Sequence, residues 1–292
     1  MTHEKPPSLD TVCARAVCLP CAPTLLPRLV AALQNEQGTA QEVESIIMLD
    51  AALAAATLRL ANSAFFGAVA VDTVEDAIIR LGEREIYRLA ALALVSRWDG
   101  GQMNALRWGP GDFARHALCR ALAAEVLAEL TGRLEPQSAY TAGLVCGLGK
   151  LALAHSGAAF YDAVRAHCER TNCTWDEAER SVFGYSHAEV GAKLLRTWHF
   201  PELFAVAAEF QMKPEEAPDE ARSLLAHLNA ARYLAASLGP GVGEDSYRGA
   251  VNGAFLEEMG FTSAILEAAL PVVLERASAR LGDNLTNGSV TL

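Results

Sequence analysis

The chain is 292 residues long, 51% hydrophobic and 20% charged, enough apolar material to offset its conformational entropy by burial, so wholesale disorder and a staple-dependent miniprotein are both excluded. Lys and Arg number 24 against 35 Asp and Glu, a formal charge of −11 that repels a phosphate backbone and argues against nucleic acid as a partner. The opening MTHEKPPSLDTVCARAVCLPCAP has no continuous apolar segment, and no later stretch offers ~18 uncharged apolar residues, so no membrane span and a cytoplasmic location are expected.

Apolar residues recur at three- and four-residue intervals, Ala and Leu dominate, and β-branched alternation is missing, which predicts an all-α protein. In chain order, helices are expected over 25–36, 40–48, 51–63, 73–81, 83–97, 112–131, 138–154, 158–171, 175–183, 187–198, 201–212, 219–238, 246–259 and 262–281. Thr39 with Glu42 and Thr174 with Glu177 have capping-box spacing; Asp50, Asp72 and Asp112 are candidate N-caps; Gly82, Gly132 and Gly239 are candidate stops. Breaks rich in Gly, Pro and charge at 98–111, 212–219 and 239–246 separate helical groups. The expected organisation is a loose segment over 1–19, a domain over 20–238 with parts at 20–100 and 101–215, and a C-terminal extension over 239–292 that ends in a polar tail. Its amphipathic helices would either cap the core or form a docking surface.

Candidates for chemistry are few. Asp112, His116 and Cys119 fall four and then three residues apart, on one helix face, the spacing of a helical metal site; equally, Asp112 reads as a cap and Cys119 as a small core residue. The seven cysteines include Cys18-Leu-Pro-Cys21, which has neither a second ligand pair for zinc nor the strand-to-helix context of a redox motif, so reduced thiols are the default. The run Gly143 to Lys150 fails as a phosphate loop because Leu144 stands where glycine is required and Leu151 where a hydroxyl is required; Gly143, Gly147 and Gly149 read as helix-packing positions. Asn62 and Ser63 end an apolar helix where their side chains can satisfy terminal backbone groups, and Phe65 with Phe66 adds aromatic surface for a partner contact or inter-subdomain joint.

Two stretches carry a resemblance. TLLPRLVAALQN, TAQEVESIIMLDAALAAATLRLANSAFFG and TVEDAIIRLGEREIYRLAALAL, followed by FARHALCRALAAEVLAE, YTAGLVCGLGKLALAH and SHAEVGAKLLRTWHFPELFAVAAEFQMKP, closely resemble the bacterial HDOD domain over about residues 20–238. The resemblance implies an all-helical signalling-output domain related to the HD phosphohydrolases. In catalytic relatives a helical His, a His-Asp dyad in a segment like GLLHDIGKL, and later His and Asp residues complete a metal site. Here His116 and His187 keep their positions, whereas the dyad reads Cys146 and Gly147, the later His-His position reads Gln211-Met212, and the downstream Asp position reads Ala231. A glycine supplies no carboxylate to hold divalent ions, so the resemblance implies a vestigial cleft with no metal, no cofactor and no hydrolysis.

The resulting expectation is a non-catalytic adaptor that contacts signalling proteins. One alternative is a nucleotide sensor in the emptied cleft, lined by His116, His187 and Gln211. The other is a degenerate metal-dependent phosphohydrolase built on His116, Cys146, His187 and Asp112.

Overall fold

The computed structural model describes residues 5–16, 28–29, 32, 39–63, 70–82, 85–86, 88–90, 102–109, 111–239 and 251–281, and among them there are helices and no strand. The described residues divide into a larger unit, 5–16 with 102–281, and a smaller one between 28 and 90.

Helix α1 (Leu9–Ala16) belongs to the larger unit. Residues 1–19 were expected to be loose, yet Val12, Cys13 and Ala16 make a narrow apolar stripe and all three are buried. One stripe with a satisfied ladder suffices when neighbouring helices cover it, even in a segment too polar and short to read as helical on its own.

The smaller unit contains α2 (Ala40–Ile47), α3 (Ala51–Ala61) and α4 (Val74–Leu81), which pack on one another. Thr39 accepts from the Glu42 amide at the start of α2, and Asp50 Oδ1 accepts from Leu53 N at the start of α3, as their positions predict. The cap of α4 is Thr73 and not Asp72, its hydroxyl accepting from Asp76 N at 3.0 Å. At the end of α3 the Asn62 side chain does not serve its own helix terminus. Its amide donates to the Val71 carbonyl and its carbonyl accepts from Val71 N, both at 2.8 Å, pinning the chain before α4. Ser63 follows in a bend, and Phe65 and Phe66 lie outside the described residues.

The larger unit is built around α5 (Asp112–Thr131). Fifteen of its 20 residues are buried, so it has no solvent face, and α6 (Pro136–Val145) packs along it. Gly132, in the left-handed region at φ 63°, ends α5 where its sequence position predicts a stop. The apolar run expected as one helix over 138–154 is two, α6 and α7 (Leu148–Gly157), broken at Cys146-Gly147. Then come α8 (Tyr161–Thr171), α9 (Trp175–Phe183), α10 (His187–Thr197) and α11 (Glu202–Phe210). Although 136–171 is long and apolar enough to pass a membrane-span test by composition, it is interrupted at 146–147 and 158–160, and 61% of its most apolar window is buried in the protein.

The C-terminal helices α12 (Asp219–Ser237), α13 (Gly253–Glu258) and α14 (Ser263–Leu281) complete this same unit, with α12 and α14 lying against α5. The extension over 239–292 is therefore not a separate body where it is described. Arg276 of α14 reaches Glu129 at 2.7 Å and the fully buried Glu125 at 3.3 Å, both on α5.

Candidate functional site

A cavity of about 70 Å³ opens where α5, α7, α10 and α12 converge, and it brings together His116, Gly147, His187 and Gln211. Helix crossings as close as backbone contact create this convergence. A Cβ on Gly143 would stand 2.9 Å from the Ala121 Cα, and one on Gly149 would stand 2.0 Å from the His187 carbonyl oxygen, so α6 presses on α5 and α7 on α10 only because these positions are glycine. The packing expectation for Gly143 to Gly149 thus has a geometric basis.

His187 is held more firmly than the sequence implied. It is the first residue of α10, where Ser186 and Glu189 form a reciprocal capping box: the Ser186 hydroxyl accepts from Ala188 N at 3.3 Å and Glu189 Oε2 accepts from Ser186 N at 2.7 Å. Its backbone N–H and its Nδ1 both bond Glu179 Oε2, at 2.8 and 2.6 Å, while Tyr161 donates its hydroxyl to Glu179 Oε1 at 3.3 Å. Glu179 on α9 is fully buried. A carboxylate only accepts, so Nδ1 carries the proton and Nε2 is the nitrogen left for the cleft that His187 lines. His116 sits edge-on to Trp108, ring centroids 5.4 Å apart at 82°. The Trp108 face also receives Lys150, whose Nζ is 5.7 Å from the ring centre.

The dyad positions behave differently from either histidine. Cys146 turns inward, 2% exposed; its thiol donates to the Gly143 carbonyl at 3.6 Å, and its carbonyl accepts from Gln211 Nε2 at 3.0 Å. Burial pushes the thiol up from its ordinary value, with Arg120 opposing that shift, so the group is a neutral thiol and a poor metal ligand. At Gly147 the space of a side chain is filled by Arg120: a Cβ there would lie 2.9 Å from Arg120 Nη2. Arg120, 6% exposed on α5, donates Nε to the Gly143 carbonyl at 2.8 Å and has no carboxylate partner among the described residues.

These residues do not fit the divalent ions that hold the site of catalytic HD relatives. A guanidinium stands where a bridging carboxylate would be needed, and it would repel a dication. The Asp112, His116, Cys119 face does not rescue the site. Asp112 Oδ2 accepts from Gly109 N at 2.7 Å and its other oxygen pairs with Arg115, so Asp112 is not the N-cap its position suggested; Gly111 is. Cys119 is sealed, its thiol pushed up to about 12 by burial. Among the described residues no three His, Cys, Asp or Glu side chains are grouped to hold a metal ion.

What lines the cleft instead is positive. Among the described residues, Arg120, Lys150 and Arg232 contribute basic side chains to the cavity wall and no Asp or Glu does, in a chain whose net charge is −11. Arg232 is steadied by Met212, its Nη1 lying 3.3 Å from the sulfur, while its neighbour Ala231 is buried in α12. Sequence reading missed Arg120, Lys150, Arg232 and Glu179. One signal was present for Arg120: it lies four residues after His116, on the same face of the helix.

The HDOD domain family model matches residues 19–214. No curated protein matches the chain. Among solved structures it is similar to an HDOD domain protein of unknown function from Geobacter sulfurreducens, with 22% identity and a TM-score of 0.65 over 95% of this chain and 98% of that one. It is also similar to a protein from Marinobacter aquaeolei VT8 named for signal transduction, with 21% identity and a TM-score of 0.68 over 94% of this chain and 60% of that longer one. A third, from Shewanella amazonensis SB2B and named as a phosphohydrolase, has 25% identity and a TM-score of 0.64 over 94% of this chain and 95% of that one. Two thirds of the chain therefore fall under one family model and nearly all of it follows that family's fold, and the protein belongs to the HDOD family.

Proposed function

We propose that this protein is a cytoplasmic regulatory module of bacterial signal transduction that acts by binding and not by metal-dependent hydrolysis. The observation that carries the reading is Arg120, whose guanidinium occupies the side-chain space of Gly147 and replaces a metal-bridging carboxylate with a fixed positive charge. Family membership supports the signalling context, and its output would pass through contacts with other signalling proteins. A small-molecule input is a second reading, favoured by the cavity itself, which keeps His116, His187 and Gln211 on one wall system after the metal chemistry is gone.

The competing reading is the hydrolase named for the Shewanella neighbour. The test is turnover of p-nitrophenyl phosphate and of its bis ester with added manganese, iron or magnesium. The expected rate is that of the His187→Ala variant in every metal. Metal-dependent turnover that disappears in both His116→Ala and His187→Ala would overturn the proposal.

A further inference from the structure

We propose that the smaller unit carries a docking face, on the exposed side of α2 and α4, for an amphipathic helix of a partner protein, apolar along one side and basic at one end. The proposal rests on the reading above that output passes through contacts with other proteins, and it states what such a contact recognises.

The three most exposed large apolar side chains among the described residues are Met48, Leu49 and Ile79, at 58%, 63% and 67%. All three belong to the smaller unit. Its topology gathers them. Gln41 in the first turn of α2 bonds Glu75 in the first turn of α4, and Asn62 at the end of α3 is tied to Val71, just before α4 begins. α3 thus returns the chain, and α2 and α4, which pack on one another, start at the same end of the unit and finish at the other. Met48 and Leu49 follow the last turn of α2, and Ile79 stands in the last turn of α4. Exposed apolar residues scattered singly are ordinary on a protein surface; three large ones at the shared end of two packed helices make a patch.

Charge selects the occupant. On the exposed side of α2, Glu42 precedes Met48 and Leu49; leading into α4 and along it, Asp72 and Asp76 precede Ile79, at helical spacing. Each exposed stripe is therefore acidic where its helix starts and apolar where it ends. The two helices contain a single basic residue, Arg80, and its Nη1 donates to the Ala61 carbonyl at 3.2 Å. A helix laid along the groove between α2 and α4 meets aliphatic surface at one end and carboxylates at the other. It fits when apolar anchors at three- and four-residue spacing cover the patch and Lys or Arg one or two turns away face Glu42, Asp72 and Asp76. Met48, unbranched and adaptable, moulds to the anchor. A second copy of this chain fits worse, because its own α2 and α4 bring no cation to the acidic end and each molecule carries a charge of −11.

The test is fluorescence anisotropy of a labelled synthetic helix of about 14 residues, or four turns, with Leu along one face and Lys on its flanks, titrated with the full-length chain. The same peptide with Glu in place of Lys is the control. Saturable binding of the Lys peptide, weakened by added potassium chloride, and none of the Glu peptide are expected. The double variant Met48→Ser with Ile79→Ser is expected to weaken binding by about tenfold or more through lost apolar contact, and Glu42→Gln with Asp72→Asn severalfold with a shallower salt dependence. All four positions are exposed, and circular dichroism checks each fold. Leu274→Ser with Glu267→Gln, an exposed apolar and an exposed acidic side chain on α14 in the larger unit, is expected to bind like the parent. Equal loss in the α14 variant would show attraction to net charge alone and overturn the face. So would folded patch variants binding like the parent, equal binding of the Glu peptide, or a dimer in sedimentation that Ile79→Ser dissolves, which would give the face to a second copy. The two readings fail separately: hydrolysis in the preceding assay sinks the non-hydrolytic reading, whereas absent peptide binding with absent hydrolysis sinks this one alone.

Discussion

Replacing Gly149 with alanine adds one methyl group at the tightest helix crossing described here. The new carbon would lie 2.0 Å from the His187 carbonyl oxygen, 2.3 Å from Gly191 N and 2.7 Å from Gly191 Cα, whereas ordinary contact begins near 3.4 Å. All three atoms are backbone, so no rotamer change relieves the overlap and α10 must retreat from α7 by more than an ångström. Overpacking of a core costs about 1–3 kcal/mol where side chains can adjust, and backbone against backbone places this case at about 3 kcal/mol or above, after the gain of up to about 1 kcal/mol from replacing a helical glycine. For a chain of this size that corresponds to a fall in Tm of roughly 6–12 °C. Gly191→Ala is the matched control, since its Cβ would meet Gly149 N at 3.4 Å and Ala208 Cβ at 3.7 Å, both ordinary contacts, and its stability should stay within about 1 kcal/mol of the parent. Thermal and urea unfolding monitored by circular dichroism give both numbers. A Gly149→Ala protein melting with the parent, or a Gly191→Ala protein destabilised as much as Gly149→Ala, would refute the argument from the crossing.

Four further outcomes are expected. His227 is buried, donates Nδ1–H to the Ser223 carbonyl at 2.7 Å and accepts from the Thr131 hydroxyl at 2.8 Å, and burial holds its pKa below the ordinary 6.5. The unfolded chain therefore binds this proton first as the pH falls, so the urea midpoint should be steady above about pH 6.5 and decline below it, and the His227→Gln variant should lose that part of the slope. Glu179→Gln disturbs three hydrogen bonds around a fully buried group and should cost about 1–3 kcal/mol in urea unfolding, with displaced imidazole proton resonances for His187. Ser186→Ala removes half of a capping box at the start of α10 and should cost about 1 kcal/mol, read as a shift in urea midpoint with an unchanged slope. Arg276→Ala removes the counter-charge that α14 supplies to Glu125 and Glu129 and should cost about 1–3 kcal/mol, with faster proteolysis at the C-terminal end.

Local signals in the sequence translated well where a single segment decided the outcome. The bounds 112–131 and 175–183, the stop at Gly132 and the caps at Thr39, Asp50 and Thr174 all follow from periodicity and from residues adjacent to them. The break inside 138–154 was not legible, because apolar periodicity runs through Cys146-Gly147 without a proline or a charge. α1 was missed for the opposite reason: its burial depends on α7 and α10, which lie far along the chain. In the cleft, the histidines and Gln211 were found through the family pattern, whereas Cys146 proved to face inward and the basic wall escaped notice. A pattern of missing ligands says what a site has lost, and only the folded arrangement says what moved into the space.

The burial of α5 on every side bears on where this protein can be cut. The family match stops at residue 214, before α12 and α14, and starts after α1, yet those three helices cover α5, α7 and α10. A fragment trimmed to the matched limits would bare the part of α5 that α12 and α14 cover and would leave Glu125 without Arg276. Such a fragment should collect in inclusion bodies while chains running to residue 281 stay in solution, so the segment shared by recognisable ancestry is shorter than the segment that can fold.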